Sequence, residues 1–252
     1  ITNITALQNN GYYVAGDQID ILVMFSENVI YTPSSGSMTL TLETGTNDAV
    51  VSYSSGSGSQ SLVFTYTIVG GETNHTSSDL DYKATSSLVV TAPATLRDSS
   101  GNNATLTLPS PGASGSLGSS KNLIVDTALP AFSSISPATN SFVTSANVGY
   151  TLSEAISSGI VTYTRTGGAN DTSSPYNVSL AGSELNTGTF SLGALTNAPT
   201  LVNGAVYSIA FSGTDAAGNQ STTVTVTGIT YDITAPTITS GVAGTNKVEN
   251  SG

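Results

Sequence analysis

The acidic, proline-stopped segment Asp126-Thr127-Ala128-Leu129-Pro130 returns as Asp232-Ile233-Thr234-Ala235-Pro236, 106 residues later counted from Pro130 to Pro236. A stretch that recurs at the length of an ordinary domain marks tandem units, because a single core has no need of the same punctuation twice. Residues 1–126 then form a first domain, 127–235 a second, and 236–252 the opening of a third that is cut short. The two Asp-x-x-x-Pro stretches read as linkers. Each full domain is long enough to bury its own core. The chain starts and stops in mid-pattern, as expected of a piece of a longer repetitive protein.

Composition decides what kind of domain is repeated. Only 8% of residues are charged, against about 25% in ordinary globular chains, and Thr, Ser, Asn and Gly fill the polar quota instead. Thr, Val, Ile and Tyr suit a pleated surface, helix formers are scarce, and 26 Gly with 9 Pro interrupt the chain at short intervals. Long helices are not expected. Period-2 runs support strands: Ile19, Ile21, Val23 and Phe25; Met38, Leu40 and Leu42; Leu62, Phe64, Tyr66 and Ile68. Ser87–Thr91, Ala104–Leu108 and Asn122–Val125 follow in the first domain. In the second the runs are Val148–Leu152, Ile160–Thr164, Tyr176–Leu180, Thr189–Leu192, Tyr207–Phe211 and Thr222–Thr227. About seven strands per domain, closely spaced by turns, predict an all-β chain of two tandem Greek-key sandwiches of immunoglobulin-like form. An up-and-down barrel is the alternative, and the matched landmarks of the two domains favour the sandwich.

Those landmarks align the domains. An apolar strand ends in Ser-Glu, as Phe25-Ser26-Glu27 and Leu152-Ser153-Glu154. Later comes Asp-x-x-Gly-Asn, as Asp98 to Asn102 and Asp215 to Asn219, and each domain closes on its Asp-x-x-x-Pro linker. Tyr82 and Tyr207 each open the penultimate strand, where a tyrosine corner or ordinary half-buried core would both fit. Together with Gly16-Asp17, Ser55 to Ser59, Phe64-Thr65-Tyr66 and Asp79-Leu80-Asp81-Tyr82, the first domain resembles the cadherin-like, immunoglobulin-fold repeats of very large bacterial surface adhesins. The second domain resembles a sister repeat type. The resemblance implies an extracellular stalk of tandem sandwiches stiffened by calcium at the joints.

The balance of charge bears on the same point. Five basic against sixteen acidic residues leave a net charge of −11, which repels nucleic acid and anionic membranes. With so few bases, the acids are either solvated or gathered on a cation. There is no Cys, which excludes thiolate sites, and with one His, His75, neither a histidine-ligated zinc nor a His-based triad is expected. No run of eighteen apolar residues is present to span a membrane. In a seven-strand sandwich with alternating strand directions, Glu154 and Asp215 fall at the pole where the second domain receives the chain, beside Asp126. Asp17, Asp79 and Asp81 fall at the pole where the first domain releases it. Six acids are thus expected to converge on Ca2+, which takes six to eight oxygen ligands without strict geometry. Glu27 and Asp98 would form a partial equivalent at the opposite pole of the first domain. Asp232 would serve the next joint, a weaker site because no acids stand at Ser145 to Asn147 or at Asn203-Gly204. Asp-x-x-Gly-Asn is also a turn motif on its own account.

The expected function is mechanical rather than enzymatic: an adhesin extender whose partners are the neighbouring repeats of its own chain, with cell-surface or glycan targets elsewhere. Two rivals stand beside it. One is a self-assembling sheath, surface-layer or fibre subunit pairing with like subunits through Thr-rich strands. The other is a carbohydrate-binding module using Tyr12, Tyr13 and Tyr31. Lys83 reads as an exposed strand lysine rather than an internal isopeptide crosslink. The Asn-x-Ser/Thr triplets at Asn3, Asn74, Asn103, Asn170, Asn177 and Asn219 are expected by chance in so Thr/Ser-rich a chain.

Overall fold

The structure is a computed structural model, and it describes residues 1–45, 47–70 and 79–237. His75 and Asn74 lie outside the described residues. The described chain is all-β, and its contacts gather into two compact units. One comprises Ile1–Ala131 with Glu154–Ser157 and Gly213–Thr222, and the other Phe132–Ser153, Ser158–Ser212 and residues from Thr223 onward.

The first unit holds β1 (Asn3–Ala6), β2 (Gly11–Tyr13), β3 (Gln18–Thr32), β4 (Ser37–Glu43), β5 (Ala49–Ser55), β6 (Ser59–Thr67), β7 (Asp81–Tyr82), β8 (Leu88–Thr91), β9 (Thr95–Arg97), α1 (Leu117–Ser120) and β10 (Leu123–Val125). Strand pairing runs β1-β3-β6-β5-β4-β7, with β8 on β4, β9 on β3, and β10 parallel to β2. The alternation that predicts strands also assigns their faces. Ile19, Ile21, Val23 and Phe25 of β3 are buried with Met38, Leu40 and Leu42 of β4 and Leu62, Phe64 and Tyr66 of β6 in one core. β3 does not stop at Ser26-Glu27. It pairs with β6 through Met24, shifts register, meets β6 again at Val29 opposite Ser59, and continues against β9 from Ile30 to Thr32. Glu27 therefore sits on the irregular stretch inside the β3–β6 pairing, where an extra-residue bulge bends a strand.

Ala104–Leu108, expected as a strand, runs as irregular extended chain. Its backbone donors go to scattered acceptors, Ala104 to Leu96 and Leu108 to Thr85. The extra strands β1, β2, β5 and β9 are short or have mixed burial, and alternation alone does not disclose them.

The second unit holds β11 (Phe132–Ser136), β12 (Phe142–Val143), β13 (Val148–Leu152), β14 (Ser158–Gly168), β15 (Tyr176–Ser179), β16 (Gly188–Gly193), β17 (Ala205–Thr214) and β18 (Val224–Tyr231), with one 3-10 turn at Gly182–Leu185. One sheet is β11-β13-β16 and the other β12-β18-β17-β14-β15. They close on each other as a sandwich. Phe132 and Tyr150 from the first sheet meet Phe211 from the second at ring-centroid separations of 6.0 and 5.9 Å, within the range of favourable aromatic contact.

Buried tyrosines place their hydroxyls on specific partners, as buried phenols must. Tyr150 donates to the carbonyl of Glu184, Tyr163 to Ala146 and Tyr82 to Pro109. Tyr207 accepts from the amide of Val202, five residues upstream, at 3.0 Å, the bond of a tyrosine corner. It donates in turn to the buried carboxylate of Asp171 at 2.7 Å. Burial, and then that carboxylate, push the Tyr207 phenol up to about 12. The Tyr207 hydroxyl, aided by the Ser173 amide and the Tyr176 hydroxyl, holds Asp171 below its ordinary range. Among the described residues no helix is long and apolar enough to cross a membrane.

Candidate metal centre

Asp126 is positioned by the strand before it. β10 pairs in parallel with β2, and the Asp126 amide continues the ladder by donating to the Tyr13 carbonyl at 2.9 Å. Its side chain turns back on the chain, Oδ1 accepting from the Ala128 amide at 3.1 Å, as aspartates do in turns. The residue is only 6% exposed.

Asp215 is built by its own motif. Oδ1 accepts from the amides of Gly218 at 2.7 Å and Asn219 at 2.8 Å, and Oδ2 from the Asn219 side-chain amide at 2.9 Å. Gly218 occupies φ +100°, a conformation other residues avoid. Ser157, on the loop that carries Glu154, fixes this corner by donating to the carbonyls of Thr214 and Asp215. Asn219 then reaches across the sequence, its amide donating to the backbone carbonyl of Asp126 at 3.0 Å. The asparagine at the close of each Asp-x-x-Gly-Asn is the signal that sequence reasoning left unused.

These local devices bring Asp126, Glu154 and Asp215 together, one carboxylate oxygen from each lying within 4.8 Å of the others. All three belong to the first compact unit. Burial and the neighbouring charge of Asp215 raise the pKa of Asp126, against the opposing hydrogen bond from Ala128. Burial, then the charges of Asp126 and Asp215, raise that of Glu154. No basic side chain among the described residues pairs with them. Among the described residues the one ion pair is Lys83 with Asp48. Lys121 is spent on the carbonyl of Gln8, Arg165 on those of Gly168 and Ala169, and Arg97 on Asn103. Buried carboxylates without a counter-charge are costly unless they share a proton or a metal. Carboxylate and carbonyl oxygens with no imidazole or thiolate suit a hard cation. The cluster can hold a metal ion.

The other expected ligands are engaged elsewhere. Asp17 accepts from the Val14 amide at 2.9 Å. Asp79 accepts from Leu123 at 2.7 Å, and burial, opposed by that bond and helped by the charge of Asp81, raises its pKa. Asp81 accepts from the amides of Tyr82 and Gly112, both at 2.9 Å. Asp17 closes a local turn, Asp79 and Asp81 tie distant backbone of the first unit, and all three stand outside the carboxylate group.

Glu27 and Asp98 line one cavity of about 190 Å³ together with Phe25, Asn102 and Ala104. Asp98 repeats the Asp215 corner: Oδ1 accepts from Ser100 and Asn102, both at 2.8 Å, and Oδ2 from the Asn102 side chain at 2.7 Å. The Asn102 side chain foremost holds Asp98 below its ordinary range. Asp232 is exposed, its Oδ1 accepting from Thr234 at 2.8 Å. Where acids are lacking beside it, Asn203 bonds Ile233 and Thr234 instead. Of the three tyrosines considered for sugar binding, Tyr12 is half exposed, Tyr13 bonds the Asn9 carbonyl, and Tyr31 packs on Tyr53 at 4.7 Å. No protein-family model matches the chain, and no curated protein matches it.

Proposed function

We propose that this chain is a pair of immunoglobulin-like, cadherin-like repeats from the extracellular part of a bacterial surface protein, serving as a structural extender whose Asp126 linker is stiffened by calcium. One observation carries the reading: a buried aspartate on the linker meets Glu154 and Asp215, with no basic side chain among the described residues to neutralise them. Calcium would be held by the carboxylates of these three residues, with water completing its shell. It accepts six to eight oxygens in flexible geometry, whereas magnesium demands a stricter octahedron. Such an ion would turn repulsion among three carboxylates into attachment of the linker to the loops that carry Glu154 and Asp215. The role is mechanical, since these acids lie at landmarks recurring once per repeat.

Calorimetric titration with calcium and magnesium, followed by solution scattering with and without chelator, tests the proposal. Calcium uptake abolished by Asp126→Asn, with a more extended and less variable particle in calcium, is the expected result. A chain that takes up no calcium and scatters identically in both conditions would sink it.

A further inference from the structure

Two half-buried tyrosines stand together where the core of the first unit reaches the surface. Tyr31, on the part of β3 that pairs with β9, and Tyr53, on β5, both pack against the buried core. Tyr53 meets buried Phe64 of β6 nearly edge on, at a centroid separation of 6.3 Å, and Tyr31 meets Tyr53 at 4.7 Å with the ring planes 58° apart. Three rings thus lead in succession from the core to the surface. The outer two frame a shallow pocket of about 390 Å³, within the size range of small-molecule sites. Buried Met38 lines it from β4, and exposed Pro33 from the turn between β3 and β4.

The rings are held in place before any ligand arrives. Ser57, in the Ser/Gly turn between β5 and β6, donates its amide to the Tyr53 hydroxyl at 2.8 Å, and its own hydroxyl accepts from the Tyr31 amide at 2.9 Å. Gly56 fixes the course of that turn: it sits at φ +106°, and a Cβ there would lie 2.1 Å from the Ser61 carbonyl oxygen. The turn carrying Pro33 is pinned in the same way, since a Cβ on Gly36 would lie 2.0 Å from the Thr91 carbonyl oxygen. The Ser55 to Ser59 run is therefore a brace for two aromatic side chains. Rings already braced have little freedom left to lose on binding, and a small site gains affinity that way.

The chemistry of the lining selects the ligand. No charged side chain lines the pocket. In a chain of net charge −11 an anion is repelled, and a cation would find no carboxylate here to replace its water. Exposed Ser37 and Ser52 line the pocket as well, and among the described residues their hydroxyls and that of Tyr31 have no hydrogen-bond partner. A fitting ligand is neutral, lays an apolar C–H face on the rings, and carries groups that both donate to and accept from hydroxyls. A proline-rich peptide would match the rings, but proline has no N–H to give those oxygens. We infer that the pocket at Tyr31 and Tyr53 binds a neutral hexopyranose unit of a glycan. None of its lining residues belongs to the carboxylate group, so this binding is independent of the calcium reading.

The test uses the whole chain with isotope-labelled tyrosine rings, and the methyl glycosides of glucose, galactose and mannose as probes. At least one should shift the Tyr31 and Tyr53 ring resonances saturably, with a dissociation constant in the millimolar range expected of one shallow site. Methyl glucuronide, which carries a negative charge, should bind about tenfold more weakly or worse. Tyr31→Ala should abolish the shift at Tyr53. Ser52→Arg, at an exposed position of β5, should close the pocket without touching the core, and a spectrum unchanged away from the pocket verifies its fold. Tyr12→Ala should bind as the native chain does. Rings left unmoved by all three glycosides overturn the inference, as do shifts that survive Ser52→Arg, a loss of binding on Tyr12→Ala, or glucuronide bound as tightly as glucoside. Capped tetraproline or tetramethylammonium binding more tightly than any glycoside would overturn it as well.

Discussion

The corners at Asp98 and Asp215 share a sequence motif and a set of hydrogen bonds, yet their surroundings differ. Asp98 belongs to an open cavity and is held below its ordinary pKa by amide donors. Asp215 is 3% exposed and faces Asp126 and Glu154, whose pKa values burial and mutual charge push upward. The comparison separates two layers of cause. Asp-x-x-Gly-Asn dictates the turn, and what lies over the turn dictates its electrostatics.

The largest contrast should come from deleting the carboxylates themselves. Asp215→Ala strands the buried backbone amide and side chain of Asn219 and should cost about 3 kcal/mol in urea denaturation, whereas Asp98→Ala, whose donors water can reach, should cost clearly less. Equal losses would mean that burial is not what distinguishes the corners. Next in size is the metal response. Calcium at a hundred times its dissociation constant should stabilise the native chain by about 2.7 kcal/mol, and Asp126→Asn should remove that gain. In chelator the same variant should be at least as stable as the native chain, because it relieves a buried charge. A chelated variant that melts lower would show that the Asp126 carboxylate is not strained by its neighbours. A smaller effect attaches to the asparagines: Asn219→Ala should cost about 1–2 kcal/mol and loosen Asp126, and Asn102→Ala should cost less.

The smallest difference is in pH dependence. Asp126 and Glu154 have raised pKa values, so the folded chain holds their protons more tightly than the unfolded one. In chelator, their contribution grows as pH falls from the raised values to the ordinary carboxylate range and is lost again as pH rises through the raised values. Calcium uptake should fade on acidification through that window. Asp98 and Asp171, lowered, contribute in full above the ordinary range and lose their contribution as pH falls below it through their lowered values. Urea titrations at stepped pH, native chain against Asp126→Asn, would show whether the upper window belongs to the cluster.

Much of this was legible in the sequence because repeated motifs act locally. Period-2 runs marked β3, β4, β6, β13 and β17, and Ser-Glu, Asp-x-x-Gly-Asn and the linker aspartate led to the three carboxylates that meet. Asp17, Asp79 and Asp81 were placed by strand direction alone, which locates a loop but not its hydrogen bonds. Each proved to be tied to an amide of its own unit. Strands as short as Gly11–Tyr13 and Phe142–Val143 carry no periodicity, and their parallel partners lie far along the chain. Asp171 was invisible for a similar reason, since its partner Tyr207 is 36 residues away.

Those two parallel pairings have a consequence for load. In each unit a strand near the start lies alongside, and points the same way as, the strand that ends it. Tension drawn from the two ends therefore slides the pair lengthwise and strains all its cross-strand bonds at once, instead of peeling them one at a time. The amides of Asp126 and Asp232 each add a rung to that shear-loaded ladder, so Asp126, one of the three carboxylates that could hold a metal, also stands where a pull is first felt.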